Sequence, residues 1–313
     1  MIGYLVRRVG TSLLVLLGLV LATFLIVRLV PGDPVQALLG ARATPQAVAQ
    51  ARQALGLEEP VLQQLWSYFV HLLTGDLGTS IPLQEPVSSA IGSRLAPSVL
   101  LIVYGLVVAL VVGVPLAVVA ALRPRGVVDH LVRFTTTFAF AMPTFWLGLM
   151  LALLFGLRLG WFPVSGYESG FGGVLRSLTL PAITLGLSLA VVVVRTLRTS
   201  LIDVMRTEYV EAARSRGMST TRVVVRHALR NAVMPTITLL SVDIGFLIGG
   251  TVVIESVFRL PGLGTLLLSS VQRRDYPLIQ AITLLAGAAV VVVGLCADLL
   301  QAVLDPRVRL GRS

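Results

Sequence analysis

The sequence predicts an all-α integral membrane protein with six transmembrane helices. Of its 313 residues, 56% are hydrophobic and only 13% are charged, and the mean hydropathy is +0.90. A soluble core of this size needs no such excess of apolar residues. The chain also contains six apolar stretches, each long enough to cross about 30 Å of hydrocarbon at about 1.5 Å per residue.

The six stretches follow one another along the chain. We expect the spans at Val9–Val27, Ser98–Leu122, Phe134–Leu157, Ser177–Val194, Asn231–Ile254 and Leu278–Ala297. The first is too long for the apolar region of a cleaved signal peptide and leads into Pro31-Gly32-Asp33-Pro34, so we expect it to be retained as a helix. Four prolines inside or at the edges of spans predict kinks, namely Pro115, Pro143, Pro181 and Pro235.

Arginine placement predicts the orientation in the membrane. The basic side chains are 25 arginines, with no lysine. With the N-terminus inside, 16 arginines fall on the cytoplasmic side and eight on the opposite side, with Arg28 at the boundary. Because basic residues collect in cytoplasmic loops, we expect both termini to be cytoplasmic.

Span placement also divides the chain into three regions. Residues 1–30 form the N-terminal cytoplasmic end and the first helix. Residues 31–97 form an external cap, where the pattern predicts two short amphipathic helices broken by Gly56 and Pro60. Residues 98–313 form a core of five transmembrane helices, with a cytoplasmic loop at about residues 195–232.

Several chemistries are excluded by residue content. Without lysine, the chain has neither a P-loop lysine nor a Schiff-base lysine. The single cysteine, Cys296, excludes a disulfide framework, and three scattered histidines do not suggest a metal site. The net charge of +10 could indicate nucleic acid, but no aromatic residues interleave with the arginines, and membrane topology explains the charge better. We therefore expect a non-catalytic chain.

A charged insert separates the fourth and fifth spans. Residues 208–216 are good helix formers with carboxylates in the early turns and arginines in the last, as the helix dipole prefers. Gly217 supplies the stop, and Ser219 or Thr220 can cap a second helix over Thr221–Asn231. The pattern alone leaves two interpretations open, a helix that docks on a partner or a solvated connector.

The same insert carries a family resemblance. Glu211-Ala212-Ala213, followed after three residues by Gly217, resembles the EAA loop of permease subunits in bacterial ABC importers. Residues 226–232 with Met234-Pro235 resemble the version found in dipeptide, oligopeptide and nickel permeases. Four further parts of the chain agree with the B-type subunit of that family: Leu29–Pro34; Leu55–Pro60 with Gly75–Ser80; Glu255–Phe258 with Pro261–Gly264 and Arg274–Pro277; and Leu304–Arg309.

The resemblance implies a type I ABC importer permease fold in the bacterial plasma (inner) membrane. It implies four kinds of partner: a second homologous permease, two cytoplasmic ABC ATPase domains, an extracytoplasmic substrate-binding protein, and the lipid bilayer. ATP and Mg would be bound by the ATPase subunits, and this chain would bind no cofactor and no metal. The implied cargo is dipeptides or oligopeptides, with glutathione, haem or a nickel chelate as alternatives.

In the family, the insert is the coupling helix that docks in a groove of the ATPase. The resemblance assigns Glu211 to a polar contact with the ATPase, Ala212 and Ala213 to close approach, and Gly217 to the turn. The full set of coupling residues that we predict is Glu208, Tyr209, Glu211, Ala212, Ala213, Arg216 and Gly217.

Charged residues within the spans are the remaining candidates. Asp243 lies near the centre of the fifth span, where an aspartate costs at least a few kcal/mol unless it faces protein or water. It is a candidate for lining the translocation path, with a hydrogen-bonded contact between helices as the alternative. Glu255 and Asp298 lie near span ends and are expected to be structural anchors. Gly245, Gly249 and Gly250 predict a face for close helix packing.

Two other function classes stay open at this level. A subunit of a proton-translocating complex is suggested by Asp243, Glu255 and Asp298, although such a relay should have more ionisable groups inside the spans. A scaffold or channel whose basic loop binds anionic lipid would leave the acidic Glu208 and Glu211 unexplained.

Overall fold

The computed structural model describes residues 2–29, 44–46, 49, 59–80 and 82–304. Its α-helices are numbered α1 Ile2–Leu29, α2 Val61–Leu73, α3 Val87–Leu122, α4 Val127–Ala141, α5 Thr144–Leu151, α6 Phe171–Val204, α7 Glu208–Ser215, α8 Thr220–Val223, α9 Leu229–Phe258, α10 Leu263–Arg273 and α11 Tyr276–Leu304. Strands β1 (Thr79–Ser80) and β2 (Glu85–Pro86) pair antiparallel. Two π-helical segments, Ala152–Arg158 and Val224–Ala228, follow α5 and α8.

The six predicted spans correspond to α1, α3, α4 with α5, α6, α9 and α11. Among the described residues, four helices are long and apolar enough to cross a membrane, and six spans result if each of two bent helix pairs counts as one. This confirms the predicted all-α membrane class.

The third predicted span is broken into two helices that meet at 102°. Met142 and Pro143 are both extended, with ψ of 130° and 132°. Proline clashes with a helical residue before it, so α4 ends at Ala141 and α5 begins after Pro143. The kink predicted at Pro143 is confirmed, and it is sharp enough to divide the span into two helices.

A second bend comes from glycine. The α9 axis bends by 58° between Leu247 and Gly249, where the adjacent Gly249 and Gly250 weaken the helix. A Cβ on either glycine would meet no described atom within 4 Å, and one on Gly245 would make only an ordinary contact with Val290. The glycine face predicted for close packing therefore stays open within the described part of the chain.

Among the described residues, the most extensive helix packing is between α3 and α6. Small residues recur every fourth position on α3 and are buried at Gly105, Ala109, Gly113 and Ala117. A Cβ on Gly186 of α6 would lie 2.6 Å from the Gly105 carbonyl oxygen. Such a crossing suits a membrane, where van der Waals contact between helices replaces the hydrophobic effect.

At the end of α9 that is remote from α7, polar side chains tie separate elements together. The Glu255 carboxylate is buried and accepts hydrogen bonds from Ser98 Oγ at 2.6 Å and from Thr265 N at 2.9 Å. Ser98 Oγ in turn accepts a bond from Leu263 N at 2.8 Å. This network joins α3, α9 and α10, and it confirms Glu255 as a structural anchor.

The region before α3 is tied to the same end. The Ser80 hydroxyl of β1 donates to the carboxylate of Asp275, which precedes α11, and both side chains are buried. Helix α2 confirms the second of the two amphipathic helices predicted there. The first of them, the stretch Leu55–Pro60 and the tail after Leu304 lie largely outside the described residues.

Candidate functional site

The predicted coupling segment forms the short helix α7, between α6 and α8. Thr207 is extended, and its carbonyl oxygen accepts the first two bonds of the helix, from Val210 N at 3.0 Å and Glu211 N at 3.2 Å. The helix ends at Ser215, and Gly217 has a φ of +77°. The predicted start at Glu208 and the left-handed turn at Gly217 are therefore confirmed.

One face of α7 packs on its own chain. Val210 and Ala213 are buried and form a cluster with Val223, against which Val204 and Met205 also pack. Val204 and Met205 belong equally to a larger cluster, whose buried members come from α3, α6 and the segment after α8: Ala117, Ala121, Leu197, Leu201, Val224, Ala228 and Ala232. The inner face of α7 is thus continuous with the packing of the long helices.

The other face of α7 is open. Ala213 is the one predicted coupling residue that the chain itself covers, being 6% exposed. The hydroxyl oxygen of Tyr209 accepts a hydrogen bond from Asn231 Nδ2 at 2.8 Å, which orients the exposed ring. The remaining predicted residues are all exposed: Glu208, Tyr209, Glu211, Ala212, Arg216 and Gly217.

The helix after Gly217 is longer than predicted. Ser219 occupies the predicted N-cap position, and its carbonyl oxygen accepts a bond from Val223 N at 3.0 Å, but its side chain makes no capping bond. The predicted end at Asn231 is wrong, because α8 continues through the π-helical segment into α9 and runs past Pro235. The chain is therefore helical without a break from Thr220, just after the turn at Gly217, to the end of α9.

An ion pair at the same end of the molecule was not predicted. The Asp129 side chain of α4 is fully buried and accepts two hydrogen bonds from the Arg198 guanidinium of α6, with Nη2 at 2.6 Å, and one from Arg125 N at 2.9 Å. Asp129 is the one acidic residue among the arginines between the second and third spans. That contrast could have identified Asp129 as a candidate for an ion pair, but spacing could not identify Arg198, 69 residues away, as its partner.

The acidic residues of the spans differ in their partners. Asp298 of α11 pairs with Arg8 of α1, which confirms its role as an anchor. Asp243 is half-buried in α9, and no residue in the described ranges forms a hydrogen bond or an ion pair with its carboxylate.

Comparison with known proteins agrees with this arrangement. The family described as "Binding-protein-dependent transport system inner membrane component" matches residues 113–310, and its N-terminal companion, "Binding-prot-dependent transport system membrane comp, N-term", matches residues 1–99. The chain is 38% identical over 309 residues to the glutathione transport system permease protein GsiC of Salmonella paratyphi A. It is 36% identical over 309 residues to GsiC of Escherichia coli K12, and both alignments cover 99% of each chain.

A solved structure shares the fold. An inward-facing conformation of the MetNI methionine ABC transporter superposes with a TM-score of 0.58 at 15% identity, covering 69% of this chain and 96% of that chain. A second crystal form of that transporter gives a TM-score of 0.56. The chain therefore belongs to the binding-protein-dependent transport system inner membrane components, as a permease subunit of an ABC importer.

Proposed function

We propose that this chain forms the translocation path together with a second homologous permease, and that its α7 docks in the cytoplasm on one of two ABC ATPase domains. One observation carries the proposal. Helix α7 presents Glu208, Glu211 and Ala212 outward while Val210 and Ala213 fix it to the packing of α3 and α6. Such a helix can both receive a partner and transmit its movement.

We expect two kinds of contact between α7 and the ATPase, a polar contact at Glu211 and a close backbone approach at Ala212. No described residue pairs with the exposed Glu211 carboxylate, so it is free to meet a basic group of the ATPase. Ala212, one position along, lets the ATPase backbone approach closely. Because Ala213 faces inward, close approach is assigned to Ala212, and Ala213 is assigned to holding α7 in place.

The free energy for transport would come from ATP hydrolysis by the partner ATPase subunits. The chain has no lysine for a P-loop, so ATP, together with its Mg, would be bound and hydrolysed in the ATPase subunits. Closure of the ATPase pair would draw two α7 helices together and shift the bundle toward an outward-open packing that receives substrate from the extracytoplasmic binding protein. Hydrolysis would return it to the inward-open packing, so transport is a population shift between two states.

The cargo that we propose is a small peptide or a peptide-like molecule such as glutathione. The support is the identity of 36–38% to glutathione permeases over nearly the whole chain. The test is mass spectrometry of the ligand that the cognate binding protein retains on purification. Recovery of haem or a nickel chelate instead of a peptide-like molecule would refute this assignment.

We assign Asp243 to the path, where it would meet the free amino group of a peptide. Its lack of a partner within the described part of the chain supports this role over a contact between helices. The alternative hypothesis, a subunit of a proton-translocating complex, loses support because Glu255 and Asp298 both serve as anchors.

Co-purification tests the docking of α7. We expect Glu211→Arg to reduce co-elution of the ATPase by about tenfold or more, because a charge reversal at a close contact adds repulsion. The matched control is Glu168→Arg, the same reversal at an exposed residue before α6, at the opposite end of that helix from α7. Undiminished co-elution with Glu211→Arg would refute docking through this face.

A further inference from the structure

A polar groove lies between α4 and α6, near the end of α6 that leads to α7. It has a volume of about 390 Å³, and its polar lining consists of Arg133, Thr136, Thr137, Arg195, Arg198 and Thr199. We refer to it as the basic groove. Three arginines around one groove attract a counter-charge.

The chain supplies only part of that counter-charge. Asp129 neutralises Arg198 through the buried ion pair. Arg133 and Arg195 are exposed, and neither forms an ion pair with a carboxylate in the described ranges. The next carboxylate on α6, Asp203, is eight residues beyond Arg195, which is about 12 Å along the helix. Asp129 also lies one turn before Arg133 on α4 and attracts it electrostatically, but one aspartate among three arginines still leaves the basic groove with a net charge of +2.

The donors are arranged symmetrically across the groove. Arg133 and Thr137 are four residues apart on α4, and Arg195 and Thr199 are four residues apart on α6, so each pair shares a helix face. The Thr199 hydroxyl donates to Arg195 O at 2.9 Å, whereas no described residue bonds the Thr137 hydroxyl. Two guanidinium groups with a nearby hydroxyl suit the oxygens of a phosphate group.

An apolar surface lies beside the basic groove on α4, because Phe134 and Phe138 each follow a groove-lining residue, Arg133 or Thr137, by one position. Phe134 and Phe138 of α4 are 70% and 58% exposed, and their stacked rings have centroids 6.4 Å apart. On the groove side of the same helix, the Arg195 guanidinium lies 5.5 Å from the centroid of the Phe140 ring. A ligand with a phosphate and long apolar chains would contact both surfaces, which a free phosphate would not.

We propose that the basic groove binds the phosphate of an anionic phospholipid, with the acyl chains along Phe134 and Phe138. Basic pockets between helices at a membrane surface are suited to such headgroups. This assignment does not depend on which cargo the importer carries or on how α7 meets the ATPase.

Native mass spectrometry of the purified transporter tests the proposal, with dioleoyl phosphatidylglycerol and dioleoyl phosphatidylcholine as the added lipids. We expect the wild type to retain phosphatidylglycerol in preference to phosphatidylcholine. The variant Arg133→Gln/Arg195→Gln should bind phosphatidylglycerol about tenfold or more weakly, because the groove loses its two exposed positive charges. The control Arg222→Gln/Arg226→Gln removes two exposed arginines outside the groove and should leave binding unchanged.

Further arms separate the alternatives. Thr137→Val keeps both arginine charges and the side-chain volume, and it should weaken phosphatidylglycerol binding a few-fold because the hydroxyl is lost. This variant replaces the double variant as the test if the double variant fails to assemble. Displacement of the lipid by an equal concentration of inorganic phosphate would indicate a free-phosphate site and overturn the assignment. Equal retention of phosphatidylglycerol by the wild type and both groove variants would also overturn the proposal. That result is expected if the second permease covers the groove.

Discussion

Glu255 and Gly262 lie so close together that any side chain at position 262 would displace the Glu255 carboxylate. A Cβ on Gly262 would lie 2.2 Å from the carboxyl carbon of Glu255. That carboxylate is buried and holds Ser98 of α3 and the first turn of α10 through hydrogen bonds. The glycine is therefore required by a side chain that joins three elements.

The first prediction follows from this contact. Gly262→Ala should push the Glu255 carboxylate off its donors and lower the free energy of unfolding by about 2 kcal/mol or more, because a buried charged acceptor loses partners. Thermal unfolding of the detergent-solubilised protein measures the change. The control is Gly92→Ala on α3, where a Cβ would meet no described atom within 4 Å. Equal melting temperatures for the two variants would contradict the packing described.

The second prediction concerns the buried ion pair. Asp129→Asn should lower the free energy of unfolding by at least about 2 kcal/mol, because Arg198 would keep its charge in a largely buried position without a carboxylate. Adding Arg198→Gln should recover part of the loss, since the unpaired charge is then removed. A double-mutant cycle by thermal unfolding measures this coupling. Strictly additive effects would mean that the two side chains do not interact.

The two alanines of α7 give the third prediction, because they face opposite ways. Ala213→Phe should lower the melting temperature, since the ring would have to enter the cluster of Val210 and Val223. Ala212→Phe should leave the melting temperature unchanged but reduce ATPase co-elution, because Ala212 is exposed. Each variant is the control for the other. Loss of co-elution with an unchanged melting temperature in Ala213→Phe would reverse the assignment.

Local patterns predicted much of this fold. The spans, the helix from Glu208 and its stop at Gly217 follow from hydropathy, helix propensity and glycine geometry, and the break at Pro143 follows from proline sterics. The small residues of α3, every fourth from Gly105 to Ala117, could also have been recognised in the sequence as a packing face.

Contacts between distant residues could not be predicted in this way. Ser98 and Glu255 are 157 residues apart, and Asp129 and Arg198 are 69 apart. The inward orientation of Ala213 depends on where Val223 returns beside α7, which helical periodicity within eight residues does not specify. The site residues could therefore be named from the sequence, while their division into an anchored face and an open face required the structure.

The last prediction tests Asp243 as a path residue. Asp243→Asn should leave the melting temperature nearly unchanged, because no described residue pairs with this carboxylate. Uptake by the reconstituted transporter should fall about tenfold for peptides with a free amino group, since a charge-assisted contact on the path is lost.

Transport of the N-acetylated forms of the same peptides should change little, so the ratio of the two uptake rates isolates the charge contact from a general defect. Asp298→Asn is the control, because losing the pair with Arg8 should lower stability without changing that ratio. If Asp243→Asn preserves both the uptake rate and the preference for free amino groups, Asp243 does not line the path. A lower melting temperature with unchanged preference would instead assign Asp243 to contact with another helix.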